Sequence, residues 1–303
     1  MESHTPKKFE WSSMEAFLAI ARTGRLTVAA ERLGIDHTTL SRRIKQLETA
    51  LQTRLFERSV NGYHLTSQGD RFLKASQQVE TIALQAAQDI SGSSSKIAGS
   101  VRIGATDGFG TIFLAPRLVA MSTEHPELSV ELVTMPRLFN LTKREADLAI
   151  GLTRPDKGRL YAHKLTDYEL GLYGSVEYLE RTGQPANHSE LRRHRLVGYV
   201  PELIYADALN YIPHVTRDVE PWITSSNLVA QLNMTLAHAG LCILPRFMAS
   251  VDPRLKQVLA DEVRLLRSFW LIVHADIRDL ARIRYCSEFL TEEVRANRKL
   301  FLS

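Results

Sequence analysis

The sequence predicts an α/β protein with a mostly helical N-terminal module, a winged helix-turn-helix, joined by one long helix to a two-lobed α/β domain. Three observations predict it. An amphipathic helix pattern at 36–48 follows a shorter helix across a glycine. A proline-free stretch at 67–90 carries a narrow apolar seam. After a Ser/Gly run at 91–95, strand-like and helix-like segments alternate over the rest of the chain.

The first helix is expected over 12–22, with Met14, Phe17, Leu18 and Ala21 inward and Gly24 ending it. The second lies within the stretch 26–35. Thr27 is its expected N-cap, Ala30 and Leu33 face inward, and Gly34 suits the left-handed position after a helix. Ala29 and Ala30 are small enough for two short helices to cross closely. In the third helix Leu40, Ile44 and Leu47 recur at i, i+4 and i+7 and so share one side. The other side carries His37, Thr38, Ser41, Arg42 and Lys45, and Asp36 can cap the free N–H groups at its start. A solvated surface helix has the same pattern; the glycine turn and the short helix before it favour a helix-turn-helix. Asn61-Gly62, between strand-like segments at 54–58 and 63–66, signals a hairpin, which after such a helix is a wing.

From 67 to 90, Phe72, Ser76, Val79, Ala83, Ala86 and Ile90 are spaced 4, 3, 4, 3 and 4, a heptad seam. Such a narrow stripe suits a second copy of the same helix; packing on the helix's own domain is the alternative. Ser91-Gly92-Ser93-Ser94-Ser95 reads as a flexible hinge. Beyond it strands are expected at 101–105, 129–134, 147–152, 169–174, 196–199, 241–244 and 268–274. Helices are expected at 111–124, 138–144, 175–182, 189–194, 227–238 and 280–298. That alternation implies a parallel sheet. The domains are 1–66, 67–97 and 98–303, the last split into lobes at about 98–165 with 268–303 and at about 166–267.

At 303 residues the chain suits two or three compact units, and 44% hydrophobic with 24% charged residues is ordinary for a globular protein. The net charge of +4 is mildly basic. Between Arg25 and Arg58, seven Lys/Arg face four acids, so most of that surplus falls on the helix-turn-helix. Cys242 and Cys286 lie in apolar runs, as buried free thiols do. Lys7 and Lys8 are followed by no apolar run, and no stretch reaches the ~20 apolar residues of a membrane span. A cytoplasmic protein is expected, with no membrane partner.

The chain resembles the LysR-type transcriptional regulators of bacteria over nearly its full length. The residues that carry this are Phe17-Leu18, Ala29-Ala30-Glu31-Arg32-Leu33-Gly34, Leu40-Ser41-Arg42-Arg43-Ile44, Leu47-Glu48, Leu55-Phe56-Glu57-Arg58 and Leu65-Thr66-Ser67-Gln68-Gly69. The second half adds Val101-Arg102-Ile103-Gly104, Ala115-Pro116, residues 146–151 and residues 240–245. The resemblance implies a winged-helix DNA-binding domain, a dimerising linker helix and a periplasmic-binding-protein-like α/β domain. It also implies homodimers or homotetramers that bind and bend double-stranded promoter DNA, engage RNA polymerase and answer a small-molecule effector between the two lobes. One departure stands out. Many members start the third helix with Ser-Gln, whereas this chain, like a subset of the family, has Asp36-His37. Imidazole cannot make the bidentate amide contact to adenine, so operator preference does not carry over.

On this reading His37, Thr38 and Thr39 meet base edges from the first helical turn. Ser41 and Arg42 reach bases or phosphates, and Thr27, Arg43, Lys45 and Arg58 reach phosphates. For Arg43 a surface ion pair is an equal alternative. Arg58 matches a family arginine at the minor groove.

Ligands of open α/β sheets bind beyond the carboxyl ends of the strands. The loops there supply Thr106, Asp107, Met135, Arg137, Leu152, Thr153, Tyr199, Pro201 and Asn227 as effector contacts. The N–H groups of 106–110 and the Thr106 hydroxyl could hold a carboxylate. Arg137 and Arg154 could pair with an anion or stay solvated, while Asp107 and Glu202 oppose a strongly anionic ligand. A small carboxylate or an aromatic metabolite is expected. No cofactor or metal is expected. The loop at 104–110 fits neither G-x-G-x-x-G nor the Walker pattern, and there is no G-x-S-x-G, no H-E-x-x-H and no zinc spacing. An enzyme, or a cytoplasmic small-molecule-binding protein with an accessory helix-turn-helix, is the alternative; a solute-binding protein for transport would fit the C-terminal half alone.

Overall fold

The computed structural model describes residues 10–59, 62–90, 97–135, 141, 145–216 and 219–303. The chain forms two compact units, Met1–Ser95 and Lys96–Ser303.

The first unit opens with α1 (Trp11–Thr23), α2 (Leu26–Leu33) and α3 (His37–Leu51). The hairpin β1 (Phe56–Ser59) and β2 (Gly62–Leu65) and the long α4 (Ser67–Ile90) follow. Phe17 is fully buried at the centre, its ring 5.1 Å from Phe56 and 4.9 Å, edge-on, from Phe72. Leu40, Ile44 and Leu47 of α3 are buried in the same core. Glu48 on α3 accepts hydrogen bonds from the N–H groups of Leu55 and Phe56, which ties the wing's first strand to the helix before it.

Two local expectations need correction. The N-cap of α2 is Arg25, and no side chain caps it. Leu26 packs on the core, and the helix starts two residues earlier than a Thr27 cap would set it. In the wing, Ser59 pairs with Gly62, so Gly62 opens the second strand. Its φ is +118°, and a Cβ there would sit 2.3 Å from the Gly24 carbonyl oxygen. Tyr63 N–H donates to that same oxygen at 2.8 Å. Glycine is needed because the wing runs against the end of α1.

The second unit contains β3 (Gly99–Ala105), α5 (Ala115–Glu124), β4 (Leu128–Thr134), β5 (Leu148–Gly151), β6 (Leu160–Ser175) and α6 (Val176–Thr182). Then come β7 (Leu196–Gly198), β8 (Ile223–Thr224), α7 (Leu228–Leu236), β9 (Leu241–Pro245) and α8 (Arg246–Ala249). Last are β10 (Leu255–Val258), β11 (Leu265–His274), α9 (Ala281–Ala296) and α10 (Arg298–Phe301). Among the described residues the strands form one nine-stranded sheet in the order β4-β3-β5-β11-β6-β9-β7-β8, with β10 paired to β6.

The sheet is mixed rather than parallel. β4-β3-β5 at one end and β9-β7-β8 at the other are parallel sets. Between them β6 and β11 run antiparallel to each other and to their outer neighbours. These two long strands carry the sheet through both halves, and a bulge at Phe269/Trp270 leaves Leu165 of β6 without a partner. The boundary expected at 165–166 falls inside β6. The segment 189–194 is a 3₁₀-helix (His188–Arg193), and most of 138–144 lies outside the described residues. The chain's last helices return to the first half: Arg117 bonds Asn297, and Arg282 donates to the Ser100 carbonyl. Cys242 and Cys286 are buried free thiols.

Candidate DNA-reading face and effector cavities

The exposed side of α3 is set by its buried side. With Leu40, Ile44 and Leu47 committed to the core, His37, Thr38, Arg42 and Lys45 are exposed, while Thr39, Ser41 and Arg43 are half-buried. Asp36 is the N-cap, as expected, and accepts from the Thr39 N–H at 2.8 Å. It does more than cap. The Thr39 hydroxyl donates to Asp36 Oδ2 at 2.6 Å, and the Thr38 hydroxyl donates to Oδ1. These hydrogen bonds, led by those from the two threonine hydroxyls, hold the Asp36 carboxyl well below the usual carboxylate range. Thr38 and Thr39 therefore turn lone pairs, not hydrogens, outward. On the wing, the exposed Arg58 guanidinium lies 5.1 Å from the Tyr63 ring centroid. Thr27 is exposed in the first turn of α2.

The seam expected on α4 divides. Phe72 packs edge-on against Phe17, and Ser76 is buried in the same unit. Both are committed to their own domain. Val79, Ala83 and Ala86 are exposed, and so is Ile82, outside the expected seam, at 64%. The side chain of Ile90 lies outside the described residues.

In the second unit, a helical segment begins at Asp107 directly after β3 and passes through a π-helical stretch, Phe109–Leu114, into α5. Asp107 is 6% exposed. Its Oδ2 accepts from the N–H of Leu228, the first residue of α7. Burial pushes the Asp107 carboxyl up, against the pull of backbone N–H groups that include Leu228 and Val229. Asn227, the N-cap of α7, accepts from Ala230 N–H at 2.8 Å. The start of α7, where an anion would bind, already holds a carboxylate of the chain itself.

Around this contact the cleft is nearly closed. A cavity of about 10 Å³ is lined by Thr106, Asp107, Leu152 and Tyr199 together with Tyr168, Tyr205, Tyr211 and Phe247. That is room for one water molecule. Beyond the carboxyl end of β7 opens a larger cavity of about 370 Å³, which shares Tyr199, Leu209 and Tyr211 with the first and adds Pro201, Ile212, Glu220 and Pro221. Of the expected effector contacts, the small cavity gathers Thr106, Asp107, Leu152 and Tyr199, and the large one Tyr199 and Pro201. Met135 and Thr153 line neither, Asn227 serves its own helix, and Arg137 lies outside the described residues.

Residues 94–295 match the LysR substrate binding domain, and residues 11–70 match the bacterial regulatory helix-turn-helix proteins of the lysR family. The chain belongs to the LysR family. It is a transcriptional regulator with a helix-turn-helix DNA-binding domain and an effector-binding domain, not an enzyme. LysR-family relatives bear this out along its length. It is 30% identical over 181 residues to the transcriptional activator TtdR of Escherichia coli K12, covering 60% of this chain and 58% of that one. It is 24% identical over 292 residues to the transcriptional regulator CrgA of Neisseria meningitidis serogroup C, covering 94% and 97%. The CrgA structure from Neisseria meningitidis superposes with a TM-score of 0.60 at 23% identity over 95% of this chain and 99% of that one. A full-length OxyR variant from Pseudomonas aeruginosa gives 0.69 at 17% identity, over 95% and 98%. LysR regulators are oligomeric, bind DNA and answer small molecules. Among the described residues no helix is long and apolar enough to cross a membrane.

Within this LysR-family effector domain, sequence reasoning missed Tyr168, Tyr205, Tyr211, Phe247 and Phe269, which wall the cleft. Tyr168 stacks on Phe269 at 4.2 Å. Density of aromatics was the signal: Tyr205 and Tyr211 fall in the irregular stretch after β7, where loop residues are easily set aside.

Proposed function

We propose that this regulator reads promoter DNA through the outward face of α3, as an oligomer of like chains in the cytoplasm, and passes an effector signal from the Lys96–Ser303 unit to RNA polymerase. The observation that carries the reading is the division of α3 into a buried apolar stripe and an exposed face of His37, Thr38, Arg42 and Lys45. His37, Thr38 and Thr39 meet base edges. Because Asp36 takes both threonine hydrogens, these hydroxyls accept from the amino groups of adenine or cytosine. Ser41 and Arg42 reach bases or phosphates, and Thr27, Arg43, Lys45 and Arg58 hold the backbone. The Asp36-His37 start makes this reader different from one that begins with a glutamine.

Two copies join along α4, from Val79 onward, where Val79, Ile82, Ala83 and Ala86 offer an exposed apolar stripe. That seam makes a dimer, and a tetramer would pair two such dimers through a second surface. The effector acts in the second unit, at the carboxyl ends of its parallel strands.

The test is an anisotropy titration of the duplex immediately upstream of the gene against a random duplex of equal length. The upstream duplex should bind at least about a thousandfold more tightly. Affinity should fall steeply with salt as phosphate contacts release counterions. Equal affinity for both duplexes would remove the proposal.

A further inference from the structure

We propose that a cavity of about 230 Å³ lined by Arg246, on the other face of β6 from the cleft, is a second ligand site and takes a small monocarboxylate. The site goes beyond the function proposed above and needs neither DNA binding nor an occupied cleft.

Strand geometry builds the site. Side chains along β6 alternate between the two faces of the sheet. Tyr168 lines the small cleft cavity, whereas Glu169, Gly171 and Tyr173 share the opposite face and line this one. The same split recurs after β9. Pro245 and Phe247 line the cleft cavity, and Arg246 between them lines this one. An occupant therefore sits back to back with the cleft wall on two elements. Gly171 forms the floor. A Cβ there would stand 2.5 Å from Gln257 Nε2 and 3.2 Å from Tyr173 Cε2, so glycine keeps open the space between them. At 230 Å³ the cavity lies just below the volume of about 300 Å³ at which sites for drug-sized molecules begin, which sets a metabolite-sized occupant.

Arg246 decides the ligand's charge. It is half-buried, and its Nε is shut from solvent without a hydrogen-bond partner. Among the described residues no acceptor or carboxylate pairs with its guanidinium. A charged donor left unmade is costly, and an anion in the cavity supplies what it lacks. The second arginine there is already matched. Arg264 forms an ion pair with Glu169 and donates to Ser303 Oγ at 2.9 Å, and that hydroxyl donates to Glu169 at 3.1 Å. Burial pushes the Glu169 carboxyl up, but the hydrogen bonds from Arg264 and Ser303 outweigh it and keep it ionised. Tyr173 is buried, and its hydroxyl reaches Gln257 Oε1 only at 3.5 Å, so a closer acceptor can take its proton into a better bond. Arg246 lies near enough to act on that hydroxyl. A carboxylate meets both groups at once, and its two oxygens match the guanidinium fork. One free guanidinium balances one negative charge, and Asp261, an exposed lining residue, disfavours a second.

The test uses the full chain and two probes of equal size, butyrate and butyramide, in calorimetric titrations at fixed ionic strength. Butyrate should bind about tenfold more tightly than the amide. Arg246→Gln should erase that preference and leave amide binding unchanged. Arg246→Lys keeps the charge without the fork and should keep only part of the preference. It also keeps the test decisive if the glutamine variant fails to fold. A full butyrate preference in either variant puts the carboxylate at another site and overturns the proposal. So does equal binding of the two probes by the parent, or inorganic phosphate binding as tightly as butyrate. The upstream-duplex titration is independent of these outcomes: an upstream duplex bound no better than a random one removes the DNA reading and leaves this site standing.

Discussion

Two helix starts, those of α3 and α7, each hold an aspartate carboxylate, and they use it in opposite ways. Asp36 is exposed, sits at the start of its own helix and bonds residues two and three positions on. Asp107 is buried, follows β3 and bonds a residue 121 positions away. Hydrogen bonds lower the pKa of the first; burial raises that of the second. A local acid shapes the face it stands on, whereas a long-range acid fastens two segments together and fills the slot between them.

That contrast predicts where substitutions cost most. Long-range close approach should dominate. Gly62→Ala forces a Cβ against the Gly24 carbonyl at positive φ. It should destabilise the first unit by about 3 kcal/mol in urea unfolding. Asp107→Leu strands the Leu228 N–H in a buried cleft and should cost the second unit about 2 kcal/mol. Asp107→Asn keeps an acceptor and relieves the buried charge, so it should match or exceed the parent at neutral pH. A loss as large as that of the leucine variant would show that the charge, not the hydrogen bond, holds the contact.

The local acid and the long-range acid should also answer pH with opposite signs. Asp36 binds its proton less readily when folded, so its contribution is complete above the ordinary aspartate value of about 4 and fades as pH falls below it. Asp107 binds its proton more readily when folded, so the second unit gains stability as pH falls through its raised folded value toward that same ordinary one. Unfolding of Asp36→Asn and Asp107→Asn followed from pH 7 to pH 3 should remove one slope each. A smaller effect should come from Ile82→Glu on the exposed stripe of α4, which leaves each unit folded and shifts light-scattering mass toward the monomer. An unchanged mass would move the seam elsewhere.

The same division decides what could be read from the sequence. The Asp36 cap, the buried stripe at Leu40, Ile44 and Leu47, and the extent of α4 depend on residues within a turn or two of one another, so periodicity exposes them. Gly62 was legible as a turn residue, but its real constraint is the end of α1, which no local pattern contains. The first half of β6 was missed because Lys164, Thr166 and Asp167 interrupt the apolar alternation; its pairing with β11 supplies what its own side chains do not. Asp107 was recognised as a cleft residue and as an argument against an anion. Its partner on α7 was invisible, and with it the closure of the cleft. Phe72 and Ser76 fit the heptad spacing, yet the core around Phe17 claims them first.

The central claim is that the outward face of α3 reads DNA, and Arg42→Ala tests it most directly. Its side chain is exposed and outside the core, so the variant should unfold with the parent. In an anisotropy titration at fixed salt on the upstream duplex it should lose about 1–3 kcal/mol of binding free energy. Parental affinity in a folded Arg42→Ala protein would place the DNA on another surface.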